Sequence, residues 1–321
     1  MRATCGFIGS GSRRLREFGS ADRVQAKKRT FFFSPHLRIS AVKTDVLVFL
    51  NGKFIPEEQA TVSIFDRSFC LSDGLFEALP VYNRKVFLWE KHFERLQTGA
   101  DFLKIKMPFS PEAIRGFAEE LLVKNQAADC ILRIQLSRGV GPRGYSIKGA
   151  DSPTFVMSLH PARRIASPAK IITSSVRILA DDPLTNFKSC SKLSHVLART
   201  EADEKGADEA LLLNTNGHIA EATSANLFWI ENKTVCTPPL NSSALPGVTR
   251  WLVLELCRKL KIATAEKNIT PELLPQTDGA FLTSVAIEVR EVVRVDEHDL
   301  PGSPITQTLR EAYSRYVEGA N

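Results

Sequence analysis

Short segments of two hydrophobic periodicities follow one another along this chain, and this alternation constrains its fold more than any other feature. Leu132, Ile134 and Leu136 alternate with polar neighbours, which predicts a half-buried strand. The stretch Lys91–Ile105 repeats its apolar residues at helical spacing, which predicts an amphipathic helix. Such a mixture predicts an α/β or α+β fold, although the pattern alone leaves open how the sheets close.

The same reasoning assigns elements from Asp45 onward. Asn51-Gly52 tolerates the positive φ of a tight turn and predicts a hairpin, and Ser110 before Pro111 predicts a capped helix start. The predicted strands are Val46–Leu50, Phe54–Ile55, Ala60–Phe65, Leu75–Tyr82, Val86–Trp89, a segment around Leu132–Leu136, Thr154–Leu159, Lys170–Ile178, Glu209–Asn214, a strand through Phe228–Ile230, Ala280–Ser284 and Val289–Val295. The remaining predicted helices start after Ser110, run near Ser191–Lys205 and over Val248–Lys261, and start after Ser303-Pro304.

The stretch Pro161–Pro168 has the composition of a linker and predicts a domain boundary. We therefore expect a small α+β domain over residues 45–160 and a larger domain over residues 169–321. Residues 1–44 hold ten Lys and Arg against two acidic residues, whereas the rest of the chain holds 32 and 34. Because the positive charge belongs to this leader, no nucleic-acid-binding face is expected on the folded body.

The leader, residues 1–44, is rich in Arg and Ser and has no clear helical periodicity. It is interpreted as a disordered arm, an organelle transit peptide or a translated upstream start, and is expected to lie outside the fold. The predicted location is the cytoplasm, or a plastid or mitochondrion if the leader is a transit peptide. Six scattered cysteines without a CxxC pair predict reduced thiols and no metal site, and no apolar run reaches membrane length.

Three motifs in the C-terminal half supply groups for covalent chemistry on an anionic small molecule. Lys188 lies in Phe-Lys-Ser-Cys-Ser, and a lysine whose amine is neutral through burial is a nucleophile. Glu221 follows a glycine turn and begins Glu-Ala-Thr-Ser-Ala-Asn. Gly247-Val248-Thr249 opens an amphipathic helix, where free N–H groups and the helix dipole favour a phosphate. Taken singly, each has an ordinary interpretation as a surface charge or a helix cap.

In this order the three motifs resemble those of the class IV aminotransferases. These are fold-type IV pyridoxal phosphate enzymes that include branched-chain and D-amino-acid aminotransferases and aminodeoxychorismate lyase. The resemblance covers about residues 46–300 and implies a small α+β domain, a larger domain with a barrel-like sheet, and the cofactor between them. It also implies pyridoxal 5'-phosphate as cofactor, an amino acid and a 2-keto acid as small-molecule partners, and a homodimer whose sites take residues from both subunits.

The resemblance also assigns roles to particular residues. Lys188 stands where the family carries its Schiff-base lysine, which also moves the proton as general base and acid. Glu221 stands beside the pyridine nitrogen and keeps it protonated. The residues implied in holding the cofactor phosphate are Arg95 in His-Phe-Glu-Arg-Leu, Val248 and Thr249 through their N–H groups, and Ser284, which contacts phosphate or substrate.

The implied substrate contacts lie elsewhere in the chain. The run Arg138–Tyr145 resembles a loop that in some members enters the neighbouring subunit's site, where Arg143 would meet a substrate carboxylate. The predicted substrate-binding residues are therefore Phe76, Arg143 and Tyr145. The departures from the family pattern are Ser68 and Ser72, where the family has glycine, and Ser191, where it often has asparagine.

The implied reaction is transamination of a branched-chain or other hydrophobic amino acid. Phe76 lies where D-amino-acid aminotransferases have a tyrosine, so a small D-amino acid is the less expected substrate. The alternative is aminodeoxychorismate lyase, which uses the same groups to release p-aminobenzoate and pyruvate. The run Arg143–Tyr145 and Phe187 favour the lyase, whereas Ile287–Val289 looks more like the transaminases. A non-catalytic homologue is also open, although the intact lysine and carboxylate argue against it.

Overall fold

The computed structural model describes residues 46–162 and 167–320 of the chain. The predicted leader, residues 1–44, and residues 163–166 of the predicted linker lie outside this range. The described residues belong to one unit, Thr44–Asn321. They form two sheets. The predicted domain boundary at 161–168, which stays a prediction, starts at Pro161, where the last strand of the first sheet ends, and stops just before Ala169, where the second sheet begins.

The first sheet has six strands, all antiparallel, in the order β2-β1-β6-β5-β3-β4. Its strands are β1 (Leu47–Leu50), β2 (Lys53–Pro56), β3 (Gly74–Tyr82), β4 (Lys85–Val86), β5 (Cys130–Ser137) and β6 (Thr154–Pro161). The helices of this part are α1 (Arg67–Leu71), α2 (Trp89–Leu103) and α3 (Pro111–Lys124).

Local sequence explains the turn between β1 and β2 and the start of helix α3. Asn51 and Gly52 both have positive φ, 47° and 91°, and form the turn that joins β1 to β2. The side chain of Ser110 accepts a hydrogen bond from the Ala113 N–H and caps α3. Both features confirm the predicted turn and cap.

The two faces of β5 have different surroundings, which decides where a site can form. Leu132, Ile134 and Leu136 are fully buried and pack with the apolar faces of α2 and α3. Side chains alternate across a strand, so Ile131 and Arg133 point to the other face, where they are only half-buried. That second face is available to line a cavity.

The second sheet has nine strands, and eight of them follow the order β12-β11-β10-β13-β14-β7-β8-β9, while β15 pairs with β14. Its strands are β7 (Ala169–Ile178), β8 (Glu209–Asn214), β9 (Ile219–Ala222), β10 (Asn226–Glu231), β11 (Thr234–Thr237), β12 (Thr264–Glu266), β13 (Ala280–Ser284), β14 (Glu288–Val295) and β15 (His298–Asp299). Its helices are α4 (Leu193–Glu204), α5 (Val248–Lys259) and α6 (Pro304–Ala320).

This second sheet curls on itself because β9 and β10 must stay close. Four strands lie between them in the sheet, so a flat sheet would hold them about 24 Å apart. Only residues 223–225 connect them along the chain, a link that spans about 14 Å at most. The sheet therefore bends into a half-barrel, and the Ala222 N–H donates to the Ala225 carbonyl at 2.8 Å across the link. The predicted mixed fold with a barrel-like sheet is confirmed.

Two predicted strands differ from the structure. Of Val86–Trp89 only Val86 lies in a strand, β4, because Trp89 already begins α2. Ala60–Phe65 forms no strand, and Val62, Ile64 and Phe65 are all exposed. The alternation of apolar residues there suggested a strand, but no neighbouring strand pairs with this segment in the described part of the chain. In that same part, no helix is long and apolar enough to cross a membrane.

Candidate active site

A cavity of about 370 Å³ is lined by residues of both sheets. Phe76, Ala78 and Ile131 line it from the half-buried face of the first sheet. The predicted site residues that the structure brings to this cavity are Phe76, Arg95, Lys188, Glu221, Val248, Thr249 and Ser284. Arg143 and Tyr145 do not line it.

Lys188 is held at the edge of the first sheet, although it belongs to the segment before α4. Its carbonyl accepts a hydrogen bond of 2.9 Å from the Phe76 N–H, and the neighbouring Ser189 pairs with Leu75. The Lys188 Nζ lies 4.7 Å from the centroid of the Phe76 ring. Desolvation in the cavity, followed by the positive charge of Arg95, lowers the pKa of Lys188 to about 8. At pH 7 about a tenth of the amine is therefore neutral, far more than for a lysine with the ordinary pKa, and a nucleophilic amine must be neutral.

Arg95 is fixed by a buried carboxylate of the first sheet. Its Nε and one Nη donate to the two oxygens of Glu77 at 2.7 and 2.8 Å. Glu77 also contacts the Nδ1 of His92 at 2.8 Å. Burial by itself would raise the pKa of Glu77, but the charge and hydrogen bonds of Arg95, together with His92, hold it at about 2. This buried carboxylate therefore stays ionised and keeps the guanidinium in place.

The start of α5 has the properties of an anion site. Gly247 is its N-cap, and no side chain caps the first N–H groups of the helix. A Cβ at Gly247 would lie 2.0 Å from the Oδ1 of Asn226, so any other residue there would displace Asn226 or the helix start. The remaining Nη of Arg95 donates to the carbonyl of Pro246 at 2.9 Å, just before this helix. The hydroxyl of Thr283, buried in the cavity wall, has no hydrogen-bond partner among the described residues.

Glu221 is held by three donors. Its Oε2 accepts from the Leu245 N–H at 2.9 Å and lies 3.4 Å from the Nδ2 of Asn226. Its Oε1 lies 3.1 Å from the Nε2 of His195. Burial would raise the pKa of Glu221, but the hydrogen bond and charge of His195, then Lys192 and the Leu245 N–H, hold it below the usual range. The carboxylate therefore stays ionised in the cavity.

The turn after Glu221 is held by hydrogen bonds to a second buried carboxylate, that of Glu209. The hydroxyls of Thr223 and Ser224 both donate to the buried carboxylate of Glu209, one on each oxygen. Both hydroxyl-bearing residues also line the cavity. Glu209 thus fixes the backbone that follows the candidate carboxylate.

The loop that carries Arg143 and Tyr145 lies apart from the cavity of its own chain. Both side chains are exposed, Tyr145 to 89%. The backbone of this loop is held from inside by Arg67, which donates to the carbonyls of Gly144 and Ser146 at 3.0 and 3.2 Å. Arg67 is itself paired with Asp73 at 2.8 Å. The loop is therefore fixed while its side chains point outward.

Three residues beside the cavity were not predicted from the sequence. Lys192 and His195 line it from the start of α4, near Glu221. The guanidinium of Arg133 lies 4.2 Å from the Phe76 ring centroid and makes no hydrogen bond or ion pair within the described residues. No motif marks these positions, because only the fold brings β5 and α4 together here; the one available signal was their basic side chains.

The sequence of this chain is similar to one protein family and to several aminotransferases. Residues 74–295 match the family described as amino-transferase class IV. The chain is 34% identical over 272 residues to a Methanocaldococcus jannaschii protein assigned as a branched-chain-amino-acid aminotransferase, covering 83% of this chain and 94% of that one. It is 28% identical over 278 residues to the D-alanine aminotransferase of Staphylococcus haemolyticus, covering 84% and 98%.

Solved structures are similar as well. The branched-chain aminotransferase of Thermoproteus uzoniensis, crystallised with norvaline, superposes with a TM-score of 0.81 at 27% identity, covering 86% of this chain and 95% of that one. A Legionella pneumophila protein assigned as 4-amino-4-deoxychorismate lyase superposes with a TM-score of 0.76 at 29% identity, covering 81% and 96%.

Proposed function

The chain belongs to the class IV aminotransferase family, and we propose that it is a pyridoxal 5'-phosphate-dependent transaminase acting on branched-chain or other hydrophobic amino acids. The observation that carries the proposal is Lys188, whose pKa is lowered to about 8 in a cavity that also holds Glu221 and an uncapped helix start. The amino group of the substrate would pass to a 2-keto acid.

The residues around the cavity fit this cofactor. The N–H groups of Val248 and Thr249 and the unpartnered hydroxyl of Thr283 suit a phosphate. Three of the five N–H donors of Arg95 are used within the chain, so two remain for an anion. The glycine at position 247 lets the Oδ1 of Asn226 lie directly against the helix start, because a Cβ there would come within 2.0 Å of that oxygen. The ionised carboxylate of Glu221 suits a protonated ring nitrogen.

Two residues of the chain would carry the chemistry. Pyridoxal phosphate, when bound, supplies an aldehyde that condenses with amines and a ring that accepts the electron pair left at the substrate Cα. The Lys188 Nζ would hold the cofactor through its aldehyde carbon. Once the substrate amine displaces it, the free Nζ would take the proton from Cα and return it, as general acid, to that aldehyde carbon. Glu221 holds the proton on the ring nitrogen and so keeps the ring electron-poor. The fixed pair of Arg95 and Glu77 keeps the phosphate side of the cavity in place.

The cavity walls favour an apolar side chain. Phe76, Ala78 and Ile131 present carbon surface on the first sheet. This matches the hydrophobic substrates implied by relatives named as branched-chain aminotransferases. A substrate carboxylate needs a cation, which would be Arg143 of a neighbouring copy or Arg133 within the same chain.

A homodimer is part of this proposal. Ile64, Phe65 and Phe69, on and before α1, are exposed to 59–77%. Tyr145 and Val140, on the loop fixed by Arg67, are also exposed. A second copy covering these apolar side chains would remove them from water, and would bring the Arg143 loop to a neighbouring cavity. Light scattering of the protein and of a Phe69→Asp variant tests this, with the variant expected to be monomeric.

The first experiment locates the reactive amine. Protein incubated with pyridoxal 5'-phosphate is reduced with borohydride, digested and analysed by mass spectrometry. The label is expected on Lys188. Lys192 is the internal control, because burial lowers its pKa as well and it lines the same cavity. Label on Lys192, or on no lysine, would overturn the proposal.

The second experiment distinguishes transaminase from lyase, the alternative supported by the Legionella structure. Leucine, valine, D-alanine and aminodeoxychorismate are each supplied without a keto acid while the cofactor absorption is followed. A hydrophobic amino acid is expected to convert the cofactor to its amine form, and a 2-keto acid to restore it. Release of p-aminobenzoate and pyruvate, with no spectral response to amino acids, would establish the lyase.

A further inference from the structure

We propose that His195 is a positioning residue that fixes the carboxylate of Glu221 for the ring nitrogen of the cofactor. The inference rests on the proposed function, since it concerns how this chain would hold pyridoxal 5'-phosphate. His195 lies in the first turn of α4, whereas Glu221 lies on β9, so the contact ties a helix to the wall of the half-barrel.

The two oxygens of Glu221 accept hydrogen bonds from different parts of the chain. The Leu245 N–H donates to Oε2 at 2.9 Å, and the Nδ2 of Asn226 lies 3.4 Å from the same oxygen. The Nε2 of His195 binds Oε1 at 3.1 Å. A carboxylate anchored at one oxygen can turn about its last single bond, whereas one anchored at both cannot. His195 therefore sets the plane of the carboxylate.

The other polar atom of His195 has no competing role. Its Nδ1 is buried and has no hydrogen-bond partner among the described residues. A carboxylate only accepts, so the hydrogen in the contact belongs to Nε2. Glu221 is thus the single polar partner of this side chain in the described part of the chain, which is expected of a positioning residue and not of a member of a wider network.

The His195–Glu221 pair also lies at the cavity in which the cofactor is proposed to bind. Both His195 and Glu221 line the cavity, and their side chains are only 14% and 8% exposed. A hydrogen bond to an ionised group in such a poorly hydrated place is stronger than one at the surface. Loss of His195 would leave Oε1 without a donor and let the carboxylate leave the ring nitrogen.

The test compares two cofactors on three proteins. Apoprotein of the parent, His195→Leu and His195→Gln is titrated with pyridoxal 5'-phosphate and with its 1-deaza analogue, whose ring carries CH in place of nitrogen. Binding is followed by fluorescence quenching and by the absorption of the bound cofactor. His195→Leu is expected to bind pyridoxal phosphate about tenfold or more weakly. His195→Gln, which keeps an N–H donor, should stay within about threefold of the parent.

With the 1-deaza analogue, all three proteins should bind with the same affinity within about twofold, because there is no ring nitrogen for Glu221 to meet. An equal loss with both cofactors would mean that His195 only supports the fold, and no loss with either would mean that it has no role. His298→Gln, an exposed histidine, is the matched control and should equal the parent. Failure of the parent itself to bind pyridoxal phosphate would instead overturn the proposed function.

Discussion

Arg95 donates two hydrogen bonds, of 2.7 and 2.8 Å, to the carboxylate of Glu77. The same guanidinium reaches the carbonyl of Pro246 at 2.9 Å, so one side chain connects α2, the first sheet and the segment that leads into α5. Bidentate pairing fixes the orientation of the guanidinium as well as its position. The segment that leads into α5 is therefore held in place by the N-terminal part of the chain.

Replacing Glu77 should show how much its ion pair with Arg95 contributes to the stability of the fold. Glu77→Gln leaves the charge of Arg95 buried without its partner, and should lower the free energy of unfolding at pH 7 by about 3–5 kcal/mol in urea titrations. The folded-state pKa of Glu77 is about 2 against a usual 4.5, so its stabilisation is complete above pH 4.5 and is lost as the pH falls toward 2. The variant should therefore lose less stability than the parent over that interval. Glu94→Gln, on the exposed face of α2, is the control; equal acid sensitivity of parent and Glu77→Gln would contradict this account.

Gly247→Ala tests the anion site at the start of α5. The new Cβ would lie 2.0 Å from Asn226 Oδ1, so the helix start or Asn226 must move. We expect weaker binding of pyridoxal 5'-phosphate to apoprotein, by about tenfold or more. Gly116→Ala in α3 has open space around it and should leave the affinity unchanged while keeping or raising stability. Unaltered affinity in Gly247→Ala would show that the phosphate lies elsewhere.

Arg143→Ala tests whether the outward loop binds the substrate carboxylate. It should lower kcat/KM for the amino donor by about 1–3 kcal/mol in activation free energy, the loss of one charge-assisted contact. Mixed dimers of Arg143→Ala and Lys188→Ala chains should recover activity, because one of their two sites would be complete. If Arg133→Leu abolishes the reaction and Arg143→Ala does not, the carboxylate is bound within one chain.

Ser72→Gly tests a strained turn. Ser72 has φ 58° and ψ 22°, the left-handed region that glycine adopts without strain. Relief of that strain, less the extra entropy of an unfolded glycine, should raise the free energy of unfolding by about 0.5–1 kcal/mol in urea titrations. Ser152→Gly, in an exposed segment without positive φ, should instead lower it slightly. A decrease in both variants would mean that the Ser72 side chain stabilises the turn.

Periodicity in the sequence predicted most elements. Glu209–Asn214 and Ala280–Ser284 have the predicted bounds, because continuous apolar runs bounded by polar residues suit fully buried strands. Ala60–Phe65 shows the limit of this reasoning, since alternation forms a strand only where a neighbour supplies hydrogen bonds. Helix α2 begins at Trp89, earlier than predicted, because its cap carries no sequence signal: Leu88 has φ 51° and no capping side chain.

Only some of the residues around the cavity could be predicted, because sequence motifs mark some of them and the fold alone places the others. Residues within motifs, such as Lys188, Glu221 and Thr249, do meet at one cavity. His195 and Arg133 stand in no motif, and only the packing of β9 against α4 and of β5 beside Phe76 gives them neighbours. The roles of all these residues remain predictions for the experiments above.

Arg67 holds its loop through the main-chain carbonyl oxygens of Gly144 and Ser146, so these hydrogen bonds involve neither the side chain at 143 nor the side chain at 145. The path of the loop is thus indifferent to the identity of the side chains at 143 and 145. The side chains at 143 and 145 can therefore change during evolution while Arg67 still holds the backbone of the loop. If Arg143 and Tyr145 contact the substrate as proposed, substrate preference can diverge through single substitutions on this outward-facing loop, while the buried residues around Lys188 stay unchanged.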